Sequence, residues 1–342
     1  MPFWKTSGAV GVDMDMSAIR VIALKGKSSK PELLHVGRIP IPEDAVREGV
    51  VQDVSMVAEV LHDYWDENKL PRDNVVLGLA NNSLRIRIAS FPKVPLDKLA
   101  KMIRYQAEDF FPIPLQQLVL DFSVVGETTG ERGTMVNVLL VAARQEELNK
   151  SIQTMTNAGL TPDIVDPSLF ALTRLIPPEA GSYVLVDIAY GVAGILLVDN
   201  HIPRICRVIP YGIITYAEGL GRPLEQVFVA TSSSSKAEHT DRGNATAVDD
   251  EWALILANEL RTTIGYYSNQ PGSGSINKIY LSGPGTRIRG VKEVIAEDLE
   301  LPVDVLSPFQ QMNLDSTMWL TDPSEEREFA AAFGLALRGL EG

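Results

Sequence analysis

The sequence predicts an α/β protein built from two related halves, and three segments carry this prediction. The first, Ala9–Leu24, is an apolar strand that ends in Asp13, turns through a short loop and resumes as a second apolar strand. Tyr183–Val198 repeats this pattern around Asp187, and Ile279–Gly290 is a strand that feeds a glycine turn and a helix. Backbone N–H groups of short loops bind phosphate oxygens, and aspartates hold Mg²⁺ through its waters. The pattern therefore indicates a nucleotide held in a cleft between the halves.

The composition is that of a soluble globular protein with room for two domains. Of its 342 residues, 45% are hydrophobic and 22% are charged. The formal net charge of −13 opposes binding to nucleic acid, which requires a basic surface. The single cysteine, Cys206, excludes an internal disulfide, and the 4 histidines are too scattered to predict a metal site. No apolar run approaches about 18 residues, so we expect a cytoplasmic protein that reaches a membrane only through partners.

The chain divides at Pro177-Pro178, after which the hairpin pattern starts again. The stretch 231–250 is rich in serine and has almost no large apolar residue, so it is predicted to be a disordered loop. The first half is predicted to span 1–178, with its core at about 8–90 and 166–178 and an inserted unit at about 91–165. The second half is predicted to span 179–342, with its core at about 179–210 and 276–342 and a smaller subdomain at about 211–275.

Apolar alternation and helical spacing predict the individual elements. Pro112 ends the helix that starts at about 96, because a proline excludes helical conformation from the residue before it, and Gly159 is a natural helix C-cap. Besides the second hairpin, strands are predicted at about 8–13, 18–24, 32–39, 75–79, 84–89, 118–125, 135–142, 161–165, 204–210 and 278–282. Helices are predicted at about 53–68, 96–111, 145–158, 167–176, 251–268, 288–299 and 329–340.

Further patterns in the inserted unit and the second half narrow the prediction. They are Leu99–Leu115 followed by Val119–Phe122, then Asn258–Tyr267, Leu301–Pro308 and Phe333–Arg338. In this order and spacing they resemble the type IV pilus assembly protein PilM family. The two Asp hairpins with the late glycine turn resemble the wider actin-like ATPase superfamily, whose FtsA-like members include that family. The resemblance implies an actin-like fold with two ribonuclease-H-like cores and an inserted subdomain in the first half.

The resemblance also implies a partner. Members of the family lie at the cytoplasmic face of the inner membrane and bind the short N-terminal tail of a membrane protein, PilN, in a groove between the first core and the inserted unit. We expect that groove near Arg85–Phe91 and the helix Leu96–Phe111, and we expect other pilus platform and motor proteins as further partners. Arg85 and Arg87 are explained equally well by a solvent-exposed edge strand, because charged side chains on an edge strand discourage pairing with other strands. The expected partner-binding residues are Arg85, Arg87, Phe91 and Arg104.

ATP and Mg²⁺ are the cofactors that the resemblance implies, but this chain departs from the family at both hairpins. Asp15 stands where a glycine usually lets the backbone approach a phosphate, and a carboxylate there repels phosphate. Ala189 replaces a second glycine, and Val192 and Ala193 lack the hydroxyl groups usual near their positions. We therefore expect a site that is weakened or lost, with at most weak ATPase activity, and we name no catalytic residue. The implied nucleotide contacts are Asp13, Asp15, Met16, Ser17, Asp187, Ala189, Tyr190, Glu259, Gly283 and Gly285, with Asp13 and Asp187 also associated with Mg²⁺.

The leading hypothesis is a cytoplasmic adaptor of the type IV pilus inner-membrane platform. An ATP-driven actin-like switch, a small-molecule kinase of the same superfamily and a filament-forming protein stay as alternatives. A kinase requires a polar substrate pocket and a catalytic base near the second hairpin, and the sequence indicates neither. A secretion-platform protein of the GspL type is a further alternative, for which we expect a transmembrane helix.

Overall fold

The predicted strands and helices occur in the predicted order, with further short strands and helices between them. A computed structural model describes residues 8–81, 84–111, 113–130, 133–224, 227, 242–270 and 272–341. The strands are β1 (Gly8–Met14), β2 (Ala18–Lys27), β3 (Lys30–Pro40), β4 (Val46–Arg47), β5 (Val50–Val51), β6 (Val75–Leu79), β7 (Arg85–Pro92), β8 (Leu118–Gly130), β9 (Gly133–Arg144), β10 (Pro162–Pro167), β11 (Tyr183–Ile188), β12 (Ala193–Asp199), β13 (Ile202–Ile209), β14 (Lys278–Ser282) and β15 (Val303–Val305). The helices are α1 (Val54–Asn68), α2 (Leu96–Phe110), α3 (Gln145–Asn157), α4 (Ser168–Leu172), α5 (Ile213–Leu220), α6 (Arg242–Ser268), α7 (Val291–Leu299), α8 (Pro308–Gln311) and α9 (Ala330–Leu340).

Two five-stranded sheets with equivalent strand orders form the two halves. The first sheet has the order β10-β6-β1-β2-β3, and the second has the order β15-β14-β11-β12-β13. In each, the central strand pairs antiparallel with its hairpin partner and parallel with a strand from later in the chain. Nearly every residue of β1 and β11 is buried, which explains why both strands read as continuous apolar runs. The predicted α/β fold of two related halves is confirmed.

The last helix joins the two halves, which the sequence did not predict. The sequence pattern places α9 in the second half, but this helix packs mainly against β1, β2 and α4 of the first half. The apolar spacing of this helix predicts that one of its faces is buried, but it does not predict which elements pack against that face. Glycine permits the close approach: a Cβ on Gly11 of β1 would lie 2.0 Å from the Ala332 carbonyl oxygen, and one on Gly334 would lie 2.3 Å from the Ala171 carbonyl oxygen. Side chains of both sheets share one apolar core around this helix.

The inserted unit is a three-stranded antiparallel sheet, β7-β9-β8, with α2 on one face. Its edges differ from the predicted range of 91–165. β7, expected in the first core, pairs with β9 instead, while β10 pairs with β6 of the first sheet. α3 packs against α1 of the first core. Strand partners lie far apart in sequence, so the local pattern predicted the strands themselves but not the sheet that each one joins.

The predicted disordered loop 231–250 falls largely outside the described residues. Residues 231–241 lie there, whereas the helix expected from about 251 already begins at Arg242, so the last part of the stretch is helical rather than disordered. Small and charged residues can continue a helix without apolar periodicity, so the pattern does not detect this start. Within the described ranges, no helix is both long and apolar enough to cross a bilayer.

Candidate functional site

The two Asp hairpins meet at a small cavity between the halves. Asp13 and Asp187 lie near the carboxyl ends of β1 and β11, and both line this cavity together with Asp15 and Ala189. The cavity volume is about 30 Å³, which is room for about two water molecules. Asp13 and Asp187 therefore share one cavity, and their role in binding a nucleotide or Mg²⁺ stays a prediction.

Burial raises the pKa of the two aspartates at the strand ends. Asp13 is buried, and this raises its pKa, although a hydrogen bond from the Ser168 hydroxyl at 2.7 Å and the charge of Arg20 act in the opposite direction. Asp187 reaches the small cavity but is otherwise surrounded by protein, which raises its pKa to about 7, and the negative charge of Asp13 adds to the rise. Such a pair disfavours two full negative charges at once.

Asp15 bridges the two halves. One oxygen of its carboxylate accepts the backbone N–H of Tyr190, in the loop of the second hairpin, at 2.9 Å. The other oxygen accepts the N–H of Met16 at 2.5 Å. The guanidinium of Arg20 lies 3.7 Å from the same carboxylate. Asp15 therefore accepts a hydrogen bond from a loop N–H group of the kind that binds a phosphate oxygen in nucleotide sites.

Arg20 and Glu328 complete this cluster, and sequence reasoning missed both. The Arg20 side chain is 2% exposed and lies 3.7 Å from Glu328, which is also buried. Although burial opposes its charge, Asp15 and Glu328 together raise the pKa of Arg20 above its usual value. A lone arginine inside the apolar run Ala18–Leu24 was the available signal, because a buried charge requires a partner.

The other residues of the two hairpin loops also contact protein groups. The Ser17 hydroxyl accepts a hydrogen bond from Arg20 at 3.4 Å. Met16 packs over Gly191, where an added Cβ would lie 2.6 Å from its sulfur. The Ala189 N–H donates to the Val192 carbonyl at 3.0 Å. The first and second hairpin loops are thus packed directly against each other.

Gly285 of the glycine turn and Glu259 both contact protein groups. Gly283 has a φ of 83°, and Gly285 lies under the Ile188 side chain, so that a Cβ there would be 2.2 Å from the Ile188 Cγ2 atom. Glu259 on α6 forms an ion pair with Arg207 of β13 at 3.0 Å and does not line the central cavity. The sequence-predicted adenosine and ribose contacts are therefore engaged with protein.

These residues do not fit a nucleotide with Mg²⁺ in the arrangement that the structure shows. Ligand pockets typically measure about 300–1,000 Å³, far more than the 30 Å³ cavity at the aspartates. The described residues contain no cluster of three or more His, Cys, Asp or Glu side chains suited to a metal ion. The Asp15 carboxylate already occupies the Tyr190 N–H in this arrangement, and a weakened or lost site stays a prediction.

The four expected partner-binding residues lie on the α2 side of the inserted sheet. Arg85 and Arg87 pair with Ala142 and Leu140, whose side chains belong to the core under α2. Phe91 belongs to the same core, is 2% exposed and packs edge-on against Phe110. Arg104 is exposed on α2. Their role in partner binding stays a prediction.

A larger groove lies on the opposite face of this sheet, where the inserted unit meets the first core. Its volume is about 610 Å³. One wall is the β8 segment 119–123, and Leu139 and Val141 of β9 continue it; Ile164 of β10 and Phe170 of α4 belong to the facing wall. β8 is an edge strand, so among the described strands only β9 pairs with it. We refer to this feature as the β8 groove.

Comparison with known proteins identifies the family. A family model described as type IV pilus assembly protein PilM matches residues 11–340. The chain belongs to the PilM family. Among solved structures, a PilM-PilN type IV pilus biogenesis complex matches with a TM-score of 0.80 and 24% identity, covering 98% of this chain and 99% of that chain. The ethanolamine utilization protein EutJ from Carboxydothermus hydrogenoformans matches with a TM-score of 0.55 and 14% identity, covering 96% of this chain and 89% of that chain. The fold of this PilM family chain is therefore actin-like, as the sequence predicted.

Replacing Asp187 by Asn is expected to stabilise this PilM family chain by about 1–2 kcal/mol at pH 8. The folded-state pKa of about 7 lies above the ordinary value of 3.8, so the wild type loses stability as the pH rises between these values. The gain from Asn should grow from pH 5 to pH 7 and then stay constant. Urea unfolding at several pH values measures it.

Asp199→Asn is the control with the opposite sign. Although burial opposes its ionisation, hydrogen bonds from Ser182 and Tyr267 hold the pKa of Asp199 below its usual range. Its contribution to stability is present above the unfolded pKa and is lost as the pH falls, so Asn should destabilise the protein at pH 8. A loss of stability in Asp187→Asn at pH 8 would contradict the assignment of its raised pKa.

Proposed function

We propose that this PilM family chain captures the extended N-terminal tail of a PilN-like membrane protein in the β8 groove. The groove carries the proposal, because it is the large apolar-lined opening between the first core and the inserted sheet. Family membership and the match to the fold of a PilM-PilN complex support it. The tail would be a short segment, since the wall of the groove is the five-residue stretch 119–123.

The edge of β8 favours an extended peptide over a helix. Peptides add to exposed sheet edges through main-chain hydrogen bonds, and pockets for alternate side chains supply specificity. The N–H of Phe122 donates to the carboxylate of Asp121 at 2.8 Å, which is a local bond that a peptide carbonyl could replace. Val119, Leu139 and Val141 offer apolar contact beside this edge. An extended tail with alternating apolar residues matches this surface.

Capture of the tail would place the chain at the inner membrane as a peripheral adaptor. The chain would lie on the cytoplasmic side and link the membrane protein to other platform proteins and to the motor proteins of the type IV pilus. Nucleotide is not required for this role, since the β8 groove is lined by other residues than the cavity at Asp13 and Asp187, apart from the shared Leu79 and Leu84. The nucleotide site is weakened or lost in this proposal.

Calorimetric titration of the purified chain tests the proposal. A synthetic peptide of the partner's N-terminal tail should bind with one site per chain, and millimolar Mg-ATP should give no heat of binding. A peptide with the same composition in scrambled order is the control. Saturable binding of Mg-ATP without binding of the peptide would contradict the proposal and favour the alternative of an ATP-driven switch.

A further inference from the structure

The loop of the second hairpin has an anion partner supplied by the other half of the chain. Short-loop N–H groups at such a position bind phosphate oxygens in nucleotide sites. Here the Tyr190 N–H donates to the Asp15 carboxylate at 2.9 Å, and the neighbouring Ala189 N–H donates within its own loop. Asp15 comes from the first hairpin, 175 positions away in sequence. A carboxylate and a phosphate are both oxyanions, so either satisfies such a donor.

The charge of Asp15 is balanced by a buried cation that itself contacts the second half. Arg20 lies 3.7 Å from Asp15 and 3.7 Å from Glu328. Glu328 also accepts a hydrogen bond from Arg287 at 3.1 Å. A carboxylate at this place is therefore not an isolated buried charge, which would be strongly unfavourable. The cluster is a chain of alternating charges that runs across the interface of the two halves.

Tyr190 is held from two sides by the first half. The guanidinium of Arg20 lies 5.4 Å from the centroid of its ring and that of Arg38 lies 5.8 Å from it, within the range of cation–π attraction. Arg38 also donates to the Tyr190 hydroxyl at 3.2 Å. Met16 packs over Gly191, the next residue of the same loop. The backbone and the ring of Tyr190 and the neighbouring Gly191 thus all contact the first hairpin or β3.

We propose that Asp15 is a built-in anion that takes the place of a nucleotide phosphate and holds the two halves closed without a ligand. In an actin-like fold with an open site, a nucleotide would connect the two hairpins. In this chain the anion is a side chain of the first hairpin, so it is present without any ligand. The inference concerns closure of the cleft and stands independently of peptide capture in the β8 groove.

Hydrogen exchange at the Tyr190 amide, resolved by fragment mass spectrometry on the full chain, tests the proposal. In the wild type this amide should be protected, and millimolar Mg-ATP should leave its exchange rate unchanged. Asp15→Ala removes the acceptor and should accelerate exchange at least about tenfold. Asp15→Asn keeps an acceptor oxygen without the charge, so its rate should fall between the two. The wild-type measurement and Asp15→Asn keep the test decisive if Asp15→Ala fails to fold.

Three results would overturn the proposal. The first is a Tyr190 amide that exchanges in the wild type as fast as an exposed amide. The second is an Asp15→Ala protein that is folded and has wild-type protection at Tyr190. The third is saturable binding of Mg-ATP to the wild type with a change in Tyr190 exchange, which would show that a nucleotide displaces Asp15.

Discussion

Replacing Arg20 by Met is expected to lower the free energy of unfolding by about 3–5 kcal/mol, because it leaves two carboxylates buried without their shared cation. The side chains of Asp15 and Glu328 are 9% and 3% exposed, and each lies 3.7 Å from the Arg20 guanidinium. Removing one partner of a buried ion cluster costs more than removing the whole cluster. Urea unfolding near neutral pH, followed by circular dichroism, measures the loss of unfolding free energy.

Arg38→Met is the matched control for this prediction. Arg38 contacts the same carboxylate of Glu328, at 3.9 Å, but its side chain is 48% exposed. Ion pairs with solvent access contribute about 0–1 kcal/mol, so the control should lose little. The combined variant Arg20→Met, Asp15→Asn, Glu328→Gln should recover part of the loss by removing the unpaired charges. Equal losses in Arg20→Met and Arg38→Met would contradict the role given to Arg20.

Replacing Val119 by Asp is expected to weaken binding of the partner's tail peptide by about 30-fold or more. Val119 lines the β8 groove and is 38% exposed, so the change is not expected to disturb the core. It removes apolar contact and forces a charge to be desolvated beneath a bound peptide, which together cost at least about 2 kcal/mol. Calorimetry or fluorescence anisotropy with the same peptide measures the change.

Val124→Asp is the control on the same strand. Val124 is 40% exposed, but it pairs with Val138 of the core under α2 and does not line the β8 groove. Its replacement should leave peptide affinity within about twofold, because the Val124 side chain lies on the α2 face of the sheet and the groove lies on the other face. Arg87→Glu examines the site expected from sequence. Strong loss of binding in Arg87→Glu with none in Val119→Asp would place the peptide on the α2 side of the sheet and contradict the proposal.

Local pattern predicted the framework of the site. The apolar runs that end in Asp13 and Asp187 gave the two hairpins within a few residues, because strands buried on both faces are apolar throughout. The spacing of Leu99, Ile103 and Ala107 gave α2, whose buried face consists of these three residues. The sequence also identifies Asp15 as a poor neighbour for phosphate, because its carboxylate is negatively charged.

The partners of these elements were beyond local pattern. No periodicity connects Asp15 with the Tyr190 N–H or Arg20 with Glu328, which are distant in sequence. Likewise, the face of the inserted sheet that meets the first core depends on the register between β8 and β9, where Val119 lies opposite Ala143. A shift of one residue would exchange the two faces. This is why the expected partner-binding residues lie on the α2 side while the β8 groove lies on the other.

The most direct measurement of the central claim is a hydrogen-exchange footprint of the chain with and without the tail peptide. If the tail adds to the edge of β8, exchange should slow in residues 119–123 and stay unchanged in α2 and in the Arg85–Phe91 segment. Protection confined to α2 and that segment, with β8 unaffected, would contradict capture in the β8 groove.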